Sequence, residues 1–432
     1  MNISDYKIGF IGLGYAGFPM ACLFSKKYKV VGYDHSKRRV SELASGVDHC
    51  GDVSSEDIHD MLNSGALFTT DIENLRDCNF FIVVVPTPVD KNLDPDISFI
   101  DAASREVGSV LKKGDIVVFE STVFPGATEN VCVPALEETS GLRLNEDFFV
   151  GYAPERINPG DKMHTPDNVV KVVSGSTPEA AEIINRLYAS VLGDKNTYLA
   201  SSIKVAEACK VVENAQRDLN IAFINEMAKI LGKLDIDTNE VVDAMNTKWN
   251  ALNFRPGLVG GHCISVDPYY LVACAKKNGA NAELISSARR INNSMAEFIA
   301  SSVAQNLEKN ADGSADRQRI LLLGFTFKEN CPDVRNSKVF DIYTALKCDS
   351  RKIDIFDPWA DGELVKNLYR IAISTNLAQI DCNKYDAIIL CVAHNDFRDF
   401  DLAAHLKENG FVYDVKAFFP RTLDKSVNIK RI

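Results

Sequence analysis

Short runs rich in Ile, Val and Phe punctuate the first 200 residues, and apolar positions at helical spacing fill the intervals. The runs predict strands at Lys7–Ile11, Val30–Tyr33, Phe80–Val85, Ile116–Phe119, Phe148–Tyr152 and Val169–Ser174. Strands alternating with helices require crossover connections, so the pattern predicts a mostly parallel, doubly wound α/β sheet. From Ser202 to Leu231 there is neither Gly nor Pro until the helix would end, and Ile203, Ala208, Val211, Val212, Ala215, Leu219, Ala222 and Met227 recur at helical spacing. About 30 residues at 1.5 Å rise span roughly 45 Å, the length of a helix that bridges domains or builds a dimer interface. Helical spacing continues from Asp237 to about Leu307, interrupted by the Gly/Pro-rich segment Phe254–Pro268.

The polar stretch Lys309–Gln318 reads as a linker. Beyond it, Ile320–Gly324, Lys352–Phe356, Ala387–Val392 and Phe411–Asp414 predict a second, smaller parallel sheet. The expected organisation is therefore an α/β segment at 1–200, a helical middle at 201–308 and a second α/β segment at 319–432.

Composition narrows the function classes. A net charge of −11 and the absence of long Lys/Arg tracts argue against nucleic acid or an anionic membrane as partner. Eleven cysteines without CxxC pairs or metal-ligand spacing read as reduced thiols with no metal site. The N-terminus lacks a signal pattern and no apolar run is long enough to span a bilayer, so the chain reads as soluble and cytoplasmic.

The chemistry begins at Gly12-Leu13-Gly14-Tyr15-Ala16-Gly17, which follows the first predicted strand and opens a helix. There Gly12, Gly14 and Gly17 serve a tight turn, close approach to a pyrophosphate and helix–strand packing. Asp34 ends the second strand, where a carboxylate accepts both ribose hydroxyls and repels a 2′-phosphate, so the expected cofactor is NAD. On the long helix Glu207, Lys210, Asn214 and Arg217 fall within about 80° of one another and offer a carboxylate, an amine and an amide on one face. Two loops at predicted strand C-termini, Glu120–Gly126 and Ala153–Gly160, lie where open α/β sheets bind ligands. Cys263 stands behind Gly260 and Gly261 with Asp267 four residues on, a nucleophile and a carboxylate on backbone that allows close approach. A lone cysteine is more often a small buried hydrophobe, so this segment gains meaning only beside the others.

These pieces occur in the order of the UDP-glucose/GDP-mannose dehydrogenase family. Pro154–Gly160, Phe254–Cys263 and Gly324–Asn330 resemble its motifs, most closely those of the branch that oxidises UDP-N-acetylhexosamines. The resemblance covers the whole chain. It implies two Rossmann-like doubly wound domains joined by a long central helix and a helical dimerisation core, with NAD bound at the N-terminal end and a UDP-sugar at the C-terminal end.

It further implies a four-electron oxidation of a sugar C6 hydroxyl to a carboxylate through a thioester on Cys263. Lys210 and Asn214 would stabilise the oxyanion, Asp267 would orient water, and Thr122 and Glu155 would assist with water and protons. Arg39, Thr87, Thr122 and Arg335 match positions near the cofactor, whereas Glu155, Arg156, Lys210, Asn214, Arg255, Gly260 and Lys328 match positions near the substrate. Ala16 departs from the Val common in the fingerprint without loss, being small and apolar. The C2 substituent and epimer stay open: UDP-N-acetylglucosamine leads, then UDP-N-acetylgalactosamine, with UDP-glucose as the competing substrate. A two-electron dehydrogenase would not need Cys263, and a non-catalytic nucleotide-sugar sensor would need none of the set. The product implied is an acidic sugar for surface polysaccharide or capsule.

Overall fold

The structure, a computed structural model, describes residues 3–49, 51, 53–156, 168–309, 318–382 and 384–432. The motif positions Ile157 to Gly160, and the expected linker from 310 to 317, lie outside the described residues. The chain packs as two compact units, Met1–Glu213 with Tyr269–Asn281, and Asn214–Pro268 with Ala282–Ile432.

The first unit is built on eight strands: β1 (Lys7–Ile11), β2 (Lys29–Tyr33), β3 (Leu67–Thr69), β4 (Phe80–Val83), β5 (Ile116–Phe119), β6 (Phe149–Tyr152), β7 (Lys171–Gly175) and β8 (Thr197–Leu199). Their order is β3-β2-β1-β4-β5-β6-β7-β8, and every neighbouring pair is parallel except β6–β7. The order reverses beside β1, which opens a crevice at the C-terminal ends of β1 and β4. Alternation sends Phe10, Phe80, Ile82 and Val118 into one core layer. It sends Ile11, Phe81, Val83, Val117 and Phe119 into the other. Because both faces are covered, these strands read as continuous apolar runs, and each fully buried Phe or Ile contributes about 1.5–3 kcal/mol. The two short strands β3 and β8 have no period to read in sequence, and β8 is exposed at Tyr198 and Leu199.

The second unit carries β9 (Gln318–Leu323), β10 (Arg351–Phe356), β11 (Tyr385–Leu390), β12 (Leu406–Asp414) and β13 (Ile429–Arg431). The order is β10-β9-β11-β12-β13, parallel throughout. Here too the order reverses at the first strand. Both sheets are Rossmann-like, which is the α/β class the sequence led one to expect.

The long helix, Ile203–Leu231, runs in the first unit to Glu213 and in the second from Asn214. The helices Thr238–Met245, Asp267–Lys277, Glu283–Asn293 and Met295–Lys309 follow. Asp237 caps the first of these by accepting the backbone N–H groups of Asn239 and Glu240. No described helix is long and apolar enough to cross a membrane.

Candidate active site

The turn after β1 is shaped for a dinucleotide. Gly12 has φ +95°, and a methyl there would lie 2.1 Å from the Val84 carbonyl oxygen, while one on Gly17 would lie 2.2 Å from that of Gly12. Gly14 has open space on its Cβ side, so a phosphate can approach its backbone at the N-terminus of the helix Gly17–Ser25. Asp34 is half-buried at the end of β2; it accepts the Leu13 N–H at 2.9 Å and the Ser36 N–H at 2.8 Å. Each carboxylate oxygen keeps a free lone pair for a ribose hydroxyl. Arg39 donates from Nε to the Leu13 carbonyl and from Nη1 to Asp48, each at 2.7 Å. Among the described residues its buried Nη2 has no hydrogen-bond partner, a donor that a bound ligand can satisfy. Thr87 lies beyond β4, where its carbonyl accepts the Tyr270 hydroxyl at 3.0 Å. These residues fit NAD: open backbone for the pyrophosphate and a carboxylate for the ribose.

Glu155, after β6, sits in a buried ion cluster. The Lys171 ammonium on β7 is held between Glu155 at 2.8 Å and Glu120 at 3.0 Å. Tyr188 donates its hydroxyl to the other oxygen of Glu120. Burial raises the Glu120 pKa, an effect that the Lys171 charge only partly offsets. Burial lowers that of Lys171, but the two carboxylates outweigh it and the net shift is upward. Glu120 opens the loop Glu120–Gly126, yet nothing in the sequence signals Lys171, which reaches partners 16 and 51 positions away. Arg156 is turned aside to Glu213 at 2.9 Å and to the Val170 carbonyl at 3.0 Å. Thr122 is half-buried in the loop after β5.

The helix stripe divides by burial. Glu207 is fully buried, and its carboxylate accepts the backbone N–H groups of Gly126 and Thr128 at 2.5 and 2.8 Å, so it anchors the loop after β5. Arg217 is exposed. Lys210 is 7 % exposed and pairs with no described residue. An ammonium in that state is costly without an anionic partner, which points to a ligand. One helical turn on, Asn214 donates from Nδ2 to the Asp267 carboxylate at 2.5 Å.

In the second unit, Cys263 lies in the turn between Gly261 and Val266 and is partly exposed. Its carbonyl accepts the N–H groups of Val266 and Asp267 at 2.9 and 2.8 Å, which starts the helix Asp267–Lys277 and sets Asp267 one turn from the thiol residue. Asp267 is 1 % exposed. His262 contacts Asp333 at 3.0 Å, and Arg335 forks onto the same carboxylate. Burial would raise the Asp333 pKa, but the hydrogen bonds from His262 and Arg335 hold it well below the carboxylate range. Arg255 pairs with Asp243 at 2.5 Å. A cavity of about 20 Å³ is lined by Gly260, Thr326, Phe327, Glu329, Lys338 and Lys416. Burial would raise the Glu329 pKa, but Lys416 and Lys328 bring it below its ordinary value. Lys416, after β12, is a cation that pattern reading passed over because a single Lys beyond a strand carries no signature. Among the described residues no group of three or more His, Cys, Asp or Glu could hold a metal ion.

Comparison with known proteins identifies the family of the chain. The NAD binding domain of the UDP-glucose/GDP-mannose dehydrogenase family matches residues 6–192, its central domain 204–294 and its UDP binding domain 321–421. The chain is 48 % identical over 418 residues to a UDP-N-acetyl-D-glucosamine 6-dehydrogenase of Pseudomonas aeruginosa, covering 96 % of this chain and 97 % of the relative. It is 46 % identical over 425 residues to one from Salmonella typhi, covering 97 % and 98 %. Among solved structures, a UDP-D-ManNAc dehydrogenase from Pyrococcus horikoshii superposes with a TM-score of 0.87 at 30 % identity, covering 99 % of both chains.

Proposed function

The chain belongs to the UDP-glucose/GDP-mannose dehydrogenase family and is an NAD-binding nucleotide-sugar dehydrogenase, and from that premise we propose that it oxidises C6 of UDP-N-acetyl-D-glucosamine to the carboxylate. The two relatives at 46–48 % identity support this sugar over UDP-N-acetylgalactosamine and UDP-glucose. One observation carries the chemistry: the Asn214 amide of the long helix holds Asp267, four residues after Cys263, and Lys210, buried and unpaired among the described residues, precedes Asn214 by four positions on the same helix.

Bound NAD supplies the hydride acceptor for both oxidations, so two are consumed per sugar. Lys210 and the Asn214 amide stabilise negative charge developing on the C6 oxygen. At the aldehyde stage the Cys263 sulfur adds to C6, and the thiol proton passes to the oxygen, giving a thiohemiacetal. Loss of a second hydride and of the hydroxyl proton leaves a thioester. Asp267, fixed by Asn214, orients the water that attacks C6; the C–S bond breaks, the thiol is restored and the carboxylate leaves. Glu155 and Thr122 assist this hydrolysis, with the Lys171 ammonium holding the Glu155 carboxylate in place at 2.8 Å. Arg39, Thr87 and Arg335 serve the cofactor, and Arg156, Arg255, Gly260 and Lys328 serve the substrate.

We further assign the functional segments as 1–200 for NAD, 201–308 for catalysis and association, and 319–432 for the UDP moiety. The protein works in the cytoplasm as a homodimer. Val205, Val212, Phe223 and Ile230 are 47, 53, 52 and 49 % exposed and follow one line of the long helix to within about 20°, an apolar seam suited to a second copy. The acidic nucleotide sugar suits assembly of an anionic surface polysaccharide.

The test is a panel of UDP-N-acetylglucosamine, UDP-N-acetylgalactosamine and UDP-glucose with NAD. The expected result is two NADH per UDP-N-acetylglucosamine and a higher kcat/KM than for the others. Preference for another sugar would overturn the substrate assignment. One NADH per sugar, or full acid formation by Cys263→Ser, would overturn the mechanism.

A further inference from the structure

The turn that carries Cys263 is held from outside itself. Asn336, on the loop after β9, donates both Nδ2 hydrogens into it, one to the Gly261 carbonyl at 2.6 Å and one to the Ser265 hydroxyl at 2.9 Å. Ser265 in turn donates to the Gly261 carbonyl at 2.7 Å, so the two ends of the turn are tied through one amide. The Asn336 carbonyl faces the same segment. It accepts the Gly261 N–H at 3.3 Å, and a methyl on Gly260 would come within 2.7 Å of it.

Asn336 is itself fixed in place. Its φ of +52° is left-handed, a conformation that Asn tolerates better than most residues. The next residue, Ser337, is buried and donates its hydroxyl to the Phe325 carbonyl at 2.5 Å. The Phe327 N–H donates to the Asp333 carbonyl at 3.0 Å. The loop from Phe325 to Ser337 is thereby closed on itself, and Asn336 projects from a rigid base.

We propose that Asn336 is a positioning residue for Cys263, holding the Gly261–Ser265 turn in the geometry from which the sulfur attacks C6. The inference rests on the reading of Cys263 as the nucleophile. Asn336 does not touch the reacting atoms; it acts through the Gly261 carbonyl and Ser265. A Ser265 hydroxyl alone would leave the turn free to pivot about Gly261, where φ is +82°. The same loop carries Lys328, so the element expected to hold the substrate also holds the nucleophile's turn.

Asn336→Asp keeps the side-chain shape and a tolerated left-handed backbone but sets a carboxylate oxygen against the Gly261 carbonyl. Asn336→Gly keeps the backbone, removes the amide and carries the same test should the Asp variant fail to fold. For either folded variant kcat for acid formation should fall by about 30-fold or more with KM for the UDP-sugar within about twofold, as expected for a misplaced nucleophile. The rate of Cys263 alkylation by iodoacetamide, read on its peptide by mass spectrometry without substrate or NAD, should change by about threefold or more. A role limited to stability would lower Tm and leave both quantities unchanged. Wild-type kcat and alkylation rate in a folded variant, with Cys263→Ser inactive, would overturn the positioning role. Acid formation by Cys263→Ser would instead overturn the reading on which it rests.

Discussion

The two α/β sheets use the same backbone device and put it to opposite ends. In each, a glycine follows the first strand with positive φ, Gly12 at +95° and Gly324 at +86°. In each, that glycine donates to the carbonyl at the end of the neighbouring strand, Gly12 to Tyr33 at 2.9 Å and Gly324 to Phe356 at 2.8 Å. An Asp then follows that neighbouring strand and receives backbone N–H groups from the glycine turn. Asp34 receives Leu13 and Ser36 and is half-buried. Asp357 is fully buried and receives Phe325, Thr326, Trp359 and Ala360 at 2.6–3.0 Å, and His394 at 3.1 Å.

The difference is what the carboxylate has left to give. Asp34 has lone pairs open to a ribose, whereas those of Asp357 are spent inside the protein. His394 also accepts the Asn330 N–H on Nδ1 at 2.9 Å, so its proton sits on Nε2, aimed at Asp357 or Thr326. The residues after the glycine differ in the same sense. Small Gly14 and Ala16 leave the backbone bare, while Phe325-Thr326-Phe327 close over theirs. One turn is left open, as a dinucleotide would need; the other is a closed clasp that leads into Lys328.

The largest effect should come from breaking the closed clasp. Asp357→Ala strands three buried N–H groups, the part-buried N–H of Trp359 and His394, and should cost at least about 3 kcal/mol in denaturant unfolding. Burial would raise the Asp357 pKa, but the hydrogen bond from His394 and those from backbone N–H groups hold it below its ordinary value of 3.8. A depressed carboxylate contributes stability above its unfolded pKa. That contribution should be lost as pH falls below about 4 through the folded pKa, and Asp357→Asn should flatten this part of the Tm–pH curve.

Second in size, Lys171→Met should destabilise by about 3 kcal/mol, because it leaves Glu120 and Glu155 buried without their shared cation. Two carboxylates side by side favour the protonated form, so the variant's stability deficit should shrink as pH is lowered from 8 to about 5. A deficit that does not change over that range would mean the carboxylates were not charged partners.

Third, the open turn should fail in binding rather than in folding. Asp34→Ala should weaken NAD by about tenfold or more in a fluorescence titration while changing stability by at most about 1 kcal/mol. Gly14→Ala has room for its methyl and should leave Tm unchanged while reducing NAD affinity. Equal loss of stability in Asp34→Ala and Asp357→Ala would erase the contrast between the two turns. Smallest of all, Arg217→Ala should change stability by less than about 0.5 kcal/mol and leave kcat untouched, since this member of the helix stripe faces solvent.

Sequence alone determined the strands of both sheets that are long enough to show a period, the glycine turn before Gly17–Ser25, Asp34 at the end of β2 and the span of the long helix. Each is encoded within a few residues, by backbone sterics or by which positions repeat on one face. It also collected Cys263, Lys210, Asn214, Asp267 and Glu155 as candidates, but only through their order along the chain. Tertiary structure decided the company each one keeps. Lys210 is buried and Arg217 exposed on one helix because neighbouring packing, not spacing, chooses which part of a stripe is covered. Lys171 meets Glu120 and Glu155 because β7 lies antiparallel beside β6, and Asn336 meets Gly261 across 75 positions. Such pairs leave no local trace, since their energy exists only once strand order and loop closure have brought distant segments together.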